Sequence, residues 1–125
     1  MRFTGVLIGS EDPKRLVEYY TKVLGDPQFE DSGYTGWQIG DAWLTIGEHD
    51  QVKGKNAQPG RIIWNMETSD VRGDFERFKA AGATVVQEPY DPGPSENDPE
   101  MLIATFADPD DNYFQLMAPM EMPSA

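Results

Sequence analysis

Cysteine is absent from the chain, which excludes disulfides, thiolate metal centres and cysteine nucleophiles and fits a reducing compartment. Basic residues are scarce: 10 against 22 acidic ones, a formal net charge of −12. Such a surface repels nucleic acid and anionic membranes and tends to attract cationic solutes; on a plainer reading it only keeps the protein in solution. Long apolar runs are missing too, so nothing reaches the length of a membrane span, and the N-terminus has no basic-then-apolar leader. There is no glycine-rich phosphate loop and no G-x-S-x-G motif. These absences predict a cytoplasmic protein that partners neither nucleic acid nor membrane.

What the sequence does contain is strong local patterning. The stretch 101–118, MLIATFADPDDNYFQLMA, places two apolar runs around Asp108-Pro109-Asp110-Asp111-Asn112, a cluster of turn formers, and predicts a β-hairpin. On its second arm Phe114, Leu116 and Ala118 share one face, and Tyr113, Gln115 and Met117 share the other. The first face suits a core. The second, an amide between a phenol and a thioether, suits the floor of a binding site.

The rest of the chain reads as two similar halves. A strand over 3–9 precedes Asp12-Pro13, a helix start in which aspartate accepts from free amides and proline takes the first helical position. Leu16, Tyr19, Tyr20, Val23 and Leu24 follow at helical spacing, with Gly25 as the C-terminal cap and Pro27 beyond it. A weak strand at 28–30 and a pair at 34–39 and 42–46, joined by the two-residue turn Gly40-Asp41, complete the first half. Residues 48–60 form a polar connector. Then come a strand at 61–67, a helix capped by Asp70 and ended by Gly82, a strand at 84–87 and the final hairpin. Asp12 aligns with Asp70 and Gly25 with Gly82, an offset of about 57–58 residues that signals duplication. The expected architecture is α+β: one domain over 1–125, with a first βαβββ unit at 1–47 and a second at 61–119. Residues 88–100 are too proline-rich for regular structure and read as a binding loop, a lid or simply a solvated loop.

Face assignment locates the site. In 61–67 the even positions are Ile62, Trp64 and Met66; in 42–47 they are Ala42, Leu44 and Ile46; in the first strand, Val6 and Ile8. These apolar faces belong under the helices, and the odd faces of the same strands are left to line a concave surface. Candidate ligand contacts on that basis are Trp43, Thr45, Asn65, Glu67, Tyr113 and Gln115, with Trp37 beside the first hairpin as a further stacking aromatic. Glu67, at a strand end, is the candidate general base, or the partner of a cationic ligand; the plainer reading is a surface carboxylate. The sole histidine, His49, lies between Glu48 and Asp50 at the start of the connector and reads as a solvated loop residue.

These features resemble the vicinal oxygen chelate superfamily of glyoxalase I, bleomycin-resistance proteins and extradiol dioxygenases. The likeness is carried by Asp12 with Tyr19 to Gly25, by Phe78-Lys79-Ala80-Ala81-Gly82, and by Phe106 with Asp108-Pro109-Asp110 and Asn112. The resemblance implies a curved mixed sheet around a concave pocket with helices on the convex side, and a homodimer. Metal-using members hold their ion with ligands on the first and last strand of each unit. The corresponding positions here are Gly5, Thr45, Ile63 and Gln115, of which only Gln115 carries a competent donor. The resemblance therefore implies the pocket without the metal or any other cofactor. It leaves three functions open: a metal-free binder of a small aromatic or cationic molecule, a lyase or isomerase of the same fold using Glu67 or Gln115, and a regulatory subunit.

Overall fold

A computed structural model describes residues 1–93 and 101–119. Its elements run β1 (Gly5–Ser10), α1 (Pro13–Leu24), β2 (Phe29–Asp31), β3 (Tyr34–Ile39), β4 (Ala42–Glu48), β5 (Ile63–Glu67), α2 (Val71–Ala80), β6 (Thr84–Tyr90), β7 (Ile103–Ala107) and β8 (Tyr113–Met117), with a short 3₁₀ turn at Pro59–Arg61. Hydrogen bonding divides the strands into two open mixed sheets of the same topology, β1-β4-β3-β2 and β5-β8-β7-β6. In each, the first strand runs parallel to the last and the other pairs are antiparallel. The α+β class and the two βαβββ units are as the pattern predicts, each unit supplying one of the two sheets.

The helices form where the punctuation predicts. Gly25 ends α1 at φ 91°, a conformation open to glycine, and its N–H reaches Thr21 O at 2.9 Å. Asp70 caps α2 by accepting from Gly73 N at 3.0 Å. Asp12 departs from expectation, because its side chain makes no capping bond. Ser10 acts there instead, its Oγ accepting from Asp12 N at 3.0 Å. Strand β6 also departs: it continues to Tyr90, past the predicted end at Gln87, with register irregularities between Val85 and Gln87 and between Gln87 and Tyr90. Pro89 sits in the second irregularity, where its missing N–H costs no regular ladder bond. Regular structure therefore covers the first three residues of the predicted 88–100 loop, and 94–100 lie outside the described residues.

One core joins both halves. The even faces of β1, β4, β5 and β8 meet the stripes of both helices, with Leu16, Tyr20, Ile46, Phe106 and Phe114 essentially inaccessible. Tyr20 touches aromatics of both sheets, its ring centroid 6.1 Å from Trp37, 6.1 Å from Trp64 and 5.7 Å from Phe114. Its hydroxyl donates to Asp108 Oδ2 at 2.8 Å. Beside it Tyr19 OH donates to Ala107 O at 3.1 Å, Ser10 Oγ to Asp110 Oδ2 at 2.6 Å, and Arg15 Nη2 to Asp110 Oδ1. Asp108 Oδ1 is filled from its own turn, by the backbone N–H groups of Asp110 and Asn112 at 2.9 and 3.0 Å. The first helix is thus pinned to the β7–β8 turn through buried, fully partnered carboxylates.

Burial raises the Asp108 carboxyl above its ordinary value of 3.8, overriding the opposing effect of its hydrogen bonds from Asn112, Tyr20 and Asp110. Burial likewise raises the Tyr20 phenol, and the Asp108 charge adds to the shift. A carboxyl whose pKa rises on folding binds its proton more tightly in the native state. Its contribution to stability is therefore largest below pH 3.8 and declines as pH rises through the native pKa. Relative to Asp108→Asn, which does not titrate, the parent should lose part of its stability advantage over that window. Paired thermal melts would show this, and an advantage that grows with pH would contradict it. At neutral pH Tyr20→Phe should cost about 1–2 kcal/mol in urea unfolding, because Asp108 Oδ2 loses a buried donor.

Candidate functional site

The strand faces turned away from the common core are open, and the pairing registers arrange their side chains in rows. On the first sheet Gly5, Trp43 and Gln38 form one row. Leu7, Thr45, Gly36 and Phe29 form the second, and Gly9, Gly47, Tyr34 and Asp31 the third. Aromatic rings lie over the glycines. A Cβ on Gly36 would meet Phe29 at 2.7 Å, and one on Gly47 would meet Tyr34 at 2.5 Å. Phe29 stands edge-on to Trp43, with centroids 6.2 Å apart at 86°. The result is a shelf of three aromatic rings, with Phe29 and Tyr34 packed on glycine backbone.

The second sheet differs. Its middle row runs Asn65, Gln115, Thr105 and Gln87. Tyr113 and Ile63 flank that row on one side, Met117 and Ile103 on the other. Gln115 Nε2 donates to Thr105 Oγ1 at 3.0 Å.

Of the predicted contacts, the structure places Trp43 and Thr45 together on the first open face, and Asn65, Tyr113 and Gln115 together on the second. Trp37 is a correction. It pairs with Leu44 across the hairpin and so shares the helix-side face. Only 1% of its surface is accessible, and its Nε1–H donates to Gly25 O at 2.8 Å. It is a core residue that ties the end of α1 to its sheet. Glu67 is exposed and lines a groove of about 240 Å³ with Gln38, Thr68 and Arg77, apart from Gln115. The partial drying that a catalytic carboxylate draws on is therefore missing there. His49 is exposed beside Asp50, as predicted for a loop. Phe29, Tyr34, Thr105 and Gln87 escaped the sequence reading, although strand parity carried forward from their neighbours would have placed each on an open face.

The four positions corresponding to metal ligands do not line one cavity. Gly5 and Ile63 border a cleft of about 400 Å³ with Phe3, Trp43 and Ile62, and Thr45 and Gln115 are not part of it. Among the described residues no group of three or more His, Cys, Asp or Glu is placed to hold an ion. Gly5 has a steric reason to stay glycine: its φ is 155°, and a Cβ would fall 2.0 Å from the Trp43 carbonyl oxygen. A divalent ion does not fit this donor set, and the first ligand position has no room for an imidazole. Gly5→Ala should destabilise the protein by about 1–3 kcal/mol through overpacking. Urea unfolding would measure it, and an unchanged midpoint would mean β1 and β4 are not so close.

With this geometry in place, comparison with known proteins is informative. The glyoxalase-like domain family matches residues 5–117. No curated protein matches the sequence. Among solved structures, a glyoxalase-related enzyme from Fulvimarina pelagi is 18% identical, with 99% of this chain and 95% of that one covered and a TM-score of 0.70. A glyoxalase/bleomycin resistance protein/dioxygenase family enzyme from Burkholderia phytofirmans PsJN is also 18% identical, covering 94% and 98%, with a TM-score of 0.68. TnmS3, an antibiotic-binding protein from Streptomyces sp. CB03234, is 21% identical over 96% and 97%, with a TM-score of 0.70. At such identities the neighbours speak to fold alone, and the family rests on the match over 5–117: the chain belongs to the glyoxalase-like family of the vicinal oxygen chelate superfamily.

Proposed function

We propose that this protein binds a small aromatic or cationic molecule without a metal and releases it unchanged. The observation that carries the reading is the first open face, where Trp43, Phe29 and Tyr34 stand around glycine floors. Rings packed down on bare backbone present an apolar, aromatic surface that accepts a planar ligand by stacking and edge contacts. The acidic charge, −12 overall, supports attraction of a cationic ligand and argues against a nucleic-acid partner. An antibiotic-binding protein among the structural neighbours agrees with sequestration. The rival lyase or isomerase would use Glu67 or Gln115; the exposure of Glu67 gives it no support as a base, and an amide such as Gln115 can orient a water but cannot take its proton. Among the described residues no helix is long and apolar enough to cross a membrane.

We also propose a homodimer. Strands β1 and β5 are the outer strands of their sheets, with unpaired edges of the kind natural proteins cover. Phe3, Leu7 and Ile62 beside those edges are 78%, 59% and 71% exposed. A two-fold pairing of β1 with the partner's β5 covers both edges and these side chains at once.

The deciding experiment is incubation with a metabolite and antibiotic library, followed by mass spectrometry of what is retained. A ligand recovered unchanged is the expected result, and turnover to product would overturn the binding reading. That ligand should quench tryptophan emission, and Trp43→Ala should weaken it by on the order of 1–3 kcal/mol. Binding indifferent to the substitution would move the site elsewhere. Light scattering should give twice the 14.0 kDa chain mass, and Leu7→Glu with Ile62→Glu should return it to monomer. A parent that stays monomeric at micromolar concentration would refute the dimer.

A further inference from the structure

The binding reading leaves the polar contribution of the second open face unassigned. The middle row there, Asn65, Gln115, Thr105 and Gln87, crosses the whole sheet and contains no charged side chain. Two of its amides have their nitrogen occupied within the protein. Gln115 Nε2 donates to Thr105 Oγ1 at 3.0 Å, and Gln87 Nε2 donates to Glu88 O at 3.2 Å. Among the described residues no donor reaches the carbonyl oxygen of either. A glutamine carries acceptor and donors on the same planar group, so fixing the nitrogen also fixes where the oxygen is presented. Thr105 is 6% exposed and Gln115 is half-buried, so the bond between them is partly shielded from water.

From this we infer that Thr105 is a positioning residue, holding Gln115 so that Oε1 stands out from the sheet as an acceptor for an N–H or O–H group on a planar ligand. The flanking rows, Tyr113 and Ile63 on one side and Met117 and Ile103 with the exposed Glu67 on the other, give such a ligand two largely apolar surfaces for its rings while its donor edge meets the row. A ligand bearing only acceptors gains nothing there, and an anion faces oxygen in place of hydrogen. The inference rests on the binding reading and narrows it from aromatic molecules in general to aromatic molecules with a donor edge.

A matched set of naphthalenes tests it. 2-Naphthol carries a donor, 2-methoxynaphthalene carries none, and 2-naphthoate is anionic. Dissociation constants come from tryptophan quenching and from shifts of the Gln115 side-chain amide in nitrogen-15 spectra. The parent should prefer 2-naphthol over 2-methoxynaphthalene by about tenfold, the scale of one partly buried hydrogen bond, and should bind 2-naphthoate weakest. Thr105→Val keeps a β-branched side chain but removes the acceptor. It should bring the preference to within about twofold, because a released amide is not held in register, while Thr105→Ser should retain the preference. Without any ligand, Thr105→Val should also shift the Gln115 Nε2 resonances, and Thr105→Ser should shift them much less. Equal binding of the two neutral probes, a preference untouched by Thr105→Val, or unmoved Nε2 resonances would each overturn the positioning role while leaving the binding reading intact. No binding of any naphthalene at millimolar concentration would instead overturn the aromatic reading, and this inference with it.

Discussion

The contact on which the molecule depends is the anchoring of helix α1 to the β7–β8 turn. Each βαβββ unit could bury its helix on its own sheet and ignore the other; here the first helix does not. Tyr20 lies between Trp37 of one sheet and Trp64 and Phe114 of the other, and its hydroxyl reaches Asp108. Burying a carboxylate is costly unless every lone pair is used, and Asp108 is used from both sides: by Tyr20 from the first unit and by its own turn through Asp110 and Asn112. Asp110 repeats the device with Ser10 and Arg15. Removing the first unit would leave both buried acids short of donors, so the polar cluster fixes how the sheets face each other, as apolar packing alone would not.

The open faces follow from that anchoring. Because the even faces of both sheets turn toward one core, the odd faces turn away from it. The large apolar exposures at Phe3, Leu7 and Ile62 lie at the unit edges and open faces.

Much of this was legible in the sequence, and the exceptions have physical reasons. Helix ends were readable because Gly25 and Gly82 adopt positive φ, which few other residues do. Core faces were readable where a strand alternates cleanly, as in Phe114 and Leu116. Trp37 was misplaced because its side depends on the register across Gly40-Asp41. A two-residue turn sets Ile39 opposite Ala42 and therefore Trp37 opposite Leu44, so the information was present but lay in the turn and not in the strand. The buried bonds from Ser10 to Asp110 and from Tyr20 to Asp108 were not readable at all. They join residues 88 to 100 positions apart, and no local pattern marks which surface-type residue will be drawn inside. The irregular β6 was hidden for a related reason: proline argues against a strand in general, but not in one whose ladder is already broken at that point.

Duplication then accounts for the contrast between the two faces. The units share topology and spacing, yet the close approach of β1 to Trp43 admits only glycine at Gly5, while the corresponding position in the second unit carries Ile63. Likewise Leu7 and Thr45 occupy the places that Asn65 and Gln115 hold in the second sheet. Of the four positions corresponding to metal ligands only Gln115 carries a competent donor, so no shared ligand set holds the two halves alike. Each face is then free to specialise, the first toward aromatic rings over bare backbone and the second toward amides held by neighbouring hydroxyl and carbonyl groups.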